Sequence, residues 1–306
     1  MTPNNRINNS GSNSDNNGCY GGLKEKLIDG RLIAGELESS LAPKISGLKK
    51  AGIVPLIAVI LVGENKASVI YVRNKERAAE RCGILSQKFI YPDSLTEKEL
   101  LNKIEELNND PLVHGILIQL PLPLHINEKT VMDLVSPNKD VDGFHPLNAG
   151  KIFTENSSFY PCTPCGIIKI LDYCGIPVKG KNCVIIGQSN IVGKPLAVML
   201  MNRLATVVSL NIFTRDIKCF TKGADILISA AGRAGLVDDS YIKDGAVVID
   251  VGISRLDGKI CGDVNFEKVI GKVSKITPVP GGVGPVTVSV LMENTVKAAL
   301  LCQKAG

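Results

Sequence analysis

Two α/β domains, each built on a parallel sheet, are the fold this sequence predicts, and three observations carry that reading. Apolar runs of strand length alternate with helical segments along most of the chain, the pattern of parallel strands covered on both faces. One apolar run ends in a glycine turn that opens a helix, at Gly187 to Pro195. The length, 306 residues, suits two domains of ordinary size.

The elements follow in order. Residues 1–20 are rich in Asn, Ser and Gly and predict a disordered tail. The first domain is expected over 21–160. Residues 31–52 read as one helix, 55–62 as a strand ending at Gly63, and 66–82 as a second helix. Ser94 with Glu97 has the spacing of a capping box that opens a helix over 96–108. The apolar run 115–118 is a strand leading into Gln119-Leu120-Pro121. The second domain is expected over 161–287. Its strands are read at 183–187, 206–210, 225–229 and 246–251, with a helix near Lys194 that tolerates Pro195 in its first turn. Residues 286–304 read as one long closing helix, and 288–306 are expected to rejoin the first domain.

Composition narrows the function. The hydrophobic fraction of 44% is ample for two cores. Aromatics make up 4%, Trp is absent, and the net charge of +5 has no long basic run behind it. Base-stacking and nucleic-acid binding are therefore not expected; a small anionic ligand is. The longest apolar run is too short to span a bilayer. Nine cysteines show no framework spacing, which points to a reducing, cytosolic setting. Cys162 and Cys165 stand close but lack a second ligand pair, so no metal site is expected.

Two constellations carry chemistry. Helical spacing puts Ser68, Tyr71 and Lys75 on one face, so a hydroxyl, an aromatic ring and an amine point the same way. Such a trio can stack a flat heterocycle and move a proton beside it; a solvated amphipathic face is the plain alternative. The turn Gly187-Gln188-Ser189-Asn190-Ile191-Val192-Gly193-Lys194-Pro195 is a phosphate site by construction, because a helix N-terminus offers unpaired N–H groups and glycine admits the phosphate. It matches neither the G-x-G-x-x-G fingerprint nor a Walker A loop. After the next strand no carboxylate appears before Asp216, and Thr214 and Arg215 can donate to a phosphate. That favours NADP, with NAD kept open.

Together these blocks resemble the bifunctional methylenetetrahydrofolate dehydrogenase/cyclohydrolase family over nearly the whole chain after the tail. The carriers, in order, are Ser68-x-x-Tyr71-x-x-x-Lys75; Gly115 through Gln119-Leu120-Pro121; Lys139-Asp140-Val141-Asp142-Gly143; the turn at 187–195; and Thr277 through Pro280-Gly281-Gly282-Val283-Gly284-Pro285 to Val288. The resemblance implies a catalytic α/β domain and a Rossmann-like NAD(P)-binding domain with the active-site cleft between them. It implies that Lys75 is the catalytic lysine, Gln119 its partner, Tyr71 the residue stacking on the folate, and Asp142 the carboxylate gripping the amino-pyrimidine edge, with Asp140 left structural. Ser68, Ile118 and Leu120 join them in the substrate site, as do a loop of Pro280, Gly281, Gly282, Val283, Gly284 and Pro285, and Thr287. Cofactor contacts are implied at Gly187, Gln188, Ser189, Ile191, Val192 and Gly193, at Thr214 and Arg215, and at Ala231, Gly232, Gly252 and Ile253.

The implied chemistry is NADP-dependent oxidation of methylenetetrahydrofolate to the methenyl form, then hydrolysis to 10-formyltetrahydrofolate. It belongs to one-carbon metabolism, including purine biosynthesis, in a cytoplasmic homodimer. The chain departs from the family pattern at Gln188, where Arg is usual, at Cys165, and over 211–215. Three rivals stand beside this reading: retention of only one of the two activities, a two-domain dehydrogenase for an amino or hydroxy acid, and a dinucleotide-binding scaffold without turnover.

Overall fold

The computed structural model describes residues 25–256 and 258–305, so the stretch 1–20 read as a disordered tail lies outside the described residues. Two parallel sheets organise the chain. The first has the order β2-β1-β3, from Leu56–Val62 (β1), Leu85–Tyr91 (β2) and Gly115–Ile118 (β3). β1 and β3 are apolar and buried, whereas β2 alternates between exposed and half-buried residues along a sheet edge. That mixed edge strand was absent from the sequence reading because it has no apolar run.

The second sheet has the order β10-β7-β6-β4-β5. Its strands are Asn182–Ile186 (β4), Thr206–Leu210 (β5), Ile226–Ser229 (β6), Val247–Asp250 (β7) and Lys275–Ile276 (β10). All its pairings are parallel. Strand order reverses between β4 and β6, and in open α/β sheets ligands bind at the carboxyl ends of such a switch point. A short antiparallel hairpin, Ser254–Leu256 (β8) with Lys259–Cys261 (β9), projects beyond β7.

Local chemistry corrects several boundaries. The helix expected over 31–52 is two, Gly30–Ser40 and Ala42–Lys50. Pro43 lies in the first turn of the second; without an N–H it interrupts a continuous ladder but is tolerated at a helix start. The capping box is Thr96 with Glu99, opening Glu97–Asn109, rather than Ser94 with Glu97. Glu97 instead accepts the Asn127 backbone N–H at 2.6 Å.

The closing helix runs Val283–Ala305, so Val283, Gly284, Pro285 and Thr287 occupy its first turns rather than a loop. It serves both halves. Val283 and Val286 are buried in the core that includes Ile185, Ile228 and Ile249 of the second sheet. Leu291, Met292 and Val296 are buried in the core of Ile57, Val59 and Leu117 of the first. Truncating Leu291 to Ala, at 1% exposure, costs about 2–5 kcal/mol by the usual cavity cost.

Candidate functional site

A cavity of about 1040 Å³ lies between the two sheets. Two local constraints bring its inner wall together. Asn65 caps the Lys66–Cys82 helix by accepting the N–H groups of Ala67 (2.9 Å) and Ser68 (3.2 Å). That fixes the rotation of the helix, so Tyr71 and Lys75 line the cavity while Ser68, at 2% exposure, turns into the packed interior. β3 ends at Ile118, and the Gln119 N–H donates to the Ile60 carbonyl of β1 at 2.9 Å, which anchors Gln119 at the strand end.

Lys75 Nζ donates to Gln119 Oε1 at 3.1 Å. Gln119 Nε2 in turn donates to the Leu120 carbonyl at 2.7 Å, so the amide is held with its oxygen toward the lysine. Asp142 lines the same wall. Burial pushes its carboxyl above the usual carboxylate range; the Lys75 charge opposes this and the Asp140 charge adds to it. Burial likewise raises the Tyr71 hydroxyl, with Arg255 opposing. Asp140 is saturated: its oxygens accept the N–H groups of Phe144 (3.0 Å) and His145 (2.9 Å) and the Asn148 amide (2.8 Å), a structural part as expected. Burial and the neighbouring Asp142 push the Cys162 thiol well up, and burial raises Cys165 to about 11. Thiolate is therefore scarce at both.

The cavity also takes in Ile118, Leu120, Pro280, Gly281, Gly282, the Val283–Pro285 turn and Thr287. From the second domain it takes Ile191, Val192, Gly252 and Ile253. The remaining expected cofactor residues sit beyond this wall. At the switch point, Gly187 follows β4 with φ 120°, and a Cβ there would press on the Ala230 backbone; a Cβ at Gly193 would press on the Gly187 carbonyl. Both glycines are required for so tight a strand–helix turn. Ser189 Oγ accepts the Val192 N–H at 3.2 Å inside the turn. Gln188 bridges the ends of β4 and β5: its amide donates to the Ser209 carbonyl and its oxygen accepts from Asn211, both at 2.9 Å. Thr214 Oγ1 accepts the Asn211 N–H at 2.9 Å, and Arg215 is exposed. Ala231 and Gly232 follow β6, beside this turn.

Sequence reasoning missed Arg31, Thr163, Asp250 and Arg255 on the cavity wall. For Asp250 a signal existed: a carboxylate closing an otherwise apolar strand, directly before Val251-Gly252.

The arrangement has chemical consequences. An amine held by an amide sits beside a half-buried carboxyl and a ring, and a glycine turn opens toward them from the other half. Comparison with known proteins bears on what it serves. The catalytic domain of the tetrahydrofolate dehydrogenase/cyclohydrolase family matches residues 28–142, and that family's NAD(P)-binding domain matches residues 161–303. The bifunctional protein FolD of Bacillus subtilis is 52% identical over 274 residues, 89% of this chain and 97% of that protein. The crystal structure of the bifunctional FolD from Campylobacter jejuni superposes with a TM-score of 0.88 at 48% identity, over 90% of this chain and 98% of that one. The Trypanosoma brucei dehydrogenase-cyclohydrolase, solved with NADP and an inhibitor, gives a TM-score of 0.86 at 36% identity, over 90% and 97% of the two chains.

Proposed function

Because this chain belongs to the tetrahydrofolate dehydrogenase/cyclohydrolase family, we propose that it carries out both reactions, NADP-dependent oxidation of methylenetetrahydrofolate and hydrolysis of the methenyl product to 10-formyltetrahydrofolate. The observation that carries this reading is the Lys75–Gln119 pair, set beside Asp142 in the wall of a cavity that the dinucleotide-binding half completes.

NADP supplies the hydride acceptor. The chain does the rest by position and electrostatics. Tyr71 offers its ring to the folate's bicyclic face. Asp142 accepts from the amino-pyrimidine edge, and the Pro280–Gly282 turn closes the opposite wall. The Gly187–Gly193 turn would hold the dinucleotide's phosphates, because the helix N-terminus there favours negative charge. In the hydrolytic step water attacks the methenyl carbon. One proton leaves the water as it adds; the second leaves the resulting hydroxyl as the carbonyl forms, the carbon–nitrogen bond of the bridged ring breaks, the released nitrogen takes up a proton, and the formyl group remains on the other nitrogen. Lys75 Nζ takes the first of these protons, and Gln119 Oε1 accepts from the amine and holds it in place.

The chain acts in the cytosol as a homodimer, and its formyl product serves one-carbon transfer such as purine biosynthesis. No helix among the described residues is long and apolar enough to cross a membrane.

The test offers methylenetetrahydrofolate with NADP and with NAD, and follows nicotinamide reduction and methenyl decay separately. Reduction followed by decay is expected, with NADP the better cofactor. Turnover of neither folate would overturn the reading in favour of a binding scaffold.

A further inference from the structure

Two buried carboxylates stand outside the chemistry described so far. Asp250 closes β7 at 3% exposure, and Asp263 follows β9 at 0%. Neither takes part in an ion pair among the described residues. Backbone N–H groups surround them instead. Asp250 Oδ1 accepts from Gly252 and from Asp263 itself, each at 3.0 Å, and Oδ2 accepts from Val264 at 2.9 Å. Asp263 Oδ2 accepts from Ala231 (2.7 Å), Gly232 (3.3 Å) and the Ser229 hydroxyl (3.0 Å), and Oδ1 accepts from Arg233 at 2.7 Å.

These bonds join three turns that are distant in sequence. Asp263 gathers the turn after β6, Asp250 gathers the turn after β7, and the Asp263 N–H on Asp250 links the two carboxylates. The packing leaves no slack: a Cβ at Gly252 would run into the Asp263 carboxylate, and one at Gly262 into that of Asp250. Charged acceptors make stronger hydrogen bonds to backbone N–H groups than neutral ones. Removing one leaves several buried donors without a partner, each costing about 1–3 kcal/mol. The turns so held are those that border the dinucleotide side, carrying Ala231, Gly232, Gly252 and Ile253. The Lys75–Gln119 wall is built on the other sheet.

We propose that Asp250 and Asp263 are positioning residues for the oxidation alone: together they hold the turns after β6 and β7 in the shape that receives the dinucleotide, and the hydrolysis does not depend on them. This rests on the bifunctional reading, and the two activities provide an internal control.

The experiment compares wild type with Asp263→Asn, which keeps the side-chain size but turns an acceptor into a donor facing N–H groups. NADPH binding is measured by fluorescence titration, oxidation at varied NADP, and methenyl hydrolysis without nucleotide. Binding weaker by about tenfold or more is expected from the loss of these bonds. The KM for NADP should rise in step, with the folate KM unchanged and hydrolysis close to wild type. Unchanged NADPH affinity would overturn the proposal, and so would hydrolysis falling in parallel with oxidation. Ser229→Ala, which removes one donor to the Asp263 carboxylate and leaves both carboxylates in place, keeps the proposal testable if Asp263→Asn does not fold. NADPH affinity reduced by about two- to fivefold is expected there, and unchanged affinity would contradict the latch. A wild type that oxidises no folate, yet binds NADPH in a manner sensitive to Asp263, would overturn the bifunctional reading and leave the latch standing.

Discussion

The two halves of the cleft are built from different materials. On the first sheet the proposed site is made of side chains: an amine, an amide, a carboxyl and a phenol project from one helix, one strand end and one turn. On the second sheet the proposed site is backbone: a glycine turn and two strand-end turns whose N–H groups donate to Asp250 and Asp263. The difference suits the ligands proposed for each half. A pterin edge and a reacting carbon need specific donors, acceptors and a base. A diphosphate needs close approach and aligned N–H groups, which backbone supplies. The first half should therefore fail residue by residue, and the second through whatever bends its turns.

The largest effect that tests this contrast is at Lys75. Lys75→Met should lower methenyl hydrolysis by about a hundred- to ten-thousandfold, with NADPH affinity unchanged; a full hydrolytic rate would break the assignment. Next comes Asp142→Asn, which replaces a charge-assisted contact and should weaken folate binding by about ten- to a hundredfold. Equal losses in folate and NADPH affinity would show that the halves are not separable. Tyr71→Ala should cost folate binding about three- to tenfold, the worth of one aromatic contact beyond its burial, measured by the same titration.

The smallest effect is on stability. Burial pushes the Asp250 carboxyl from its usual 3.8 up to about 6; backbone N–H bonds oppose this and the Asp263 charge adds to it. Between those values the folded protein holds a proton that the unfolded chain has released. The stabilisation from that proton is present at the acid end of this window and is lost as pH rises through about 6. Denaturant unfolding across this window should show that component in wild type and lack it in Asp250→Asn. Equal slopes in the two proteins would remove Asp250 as its source.

The same contrast decided what could be read from the sequence. Tyr71 and Lys75 were legible because helical spacing alone puts them on one face. The glycine turn was legible because Gly187 and Gly193 punctuate an apolar strand and a helix. Family resemblance supplied Gln119 and Asp142; neither has a local pattern of its own. Ser68 shares the helical face of Tyr71 by spacing, yet the cap at Asn65 and the packing beneath bury it. The Asp250–Asp263 link was invisible, since its bonds join β6, β7 and β9 ends that meet only in the folded sheet. β2 escaped notice for a related reason: an edge strand needs no apolar run, only a partner already in place.

The most direct test of the account is a structure of the protein with a methylenetetrahydrofolate analogue and NADP bound. The account predicts Lys75 Nζ within hydrogen-bond reach of the one-carbon unit, directly or through one water, with Gln119 still holding it and the nicotinamide on the opposite face. A lysine nitrogen turned to bulk solvent, remote from that carbon, would contradict it.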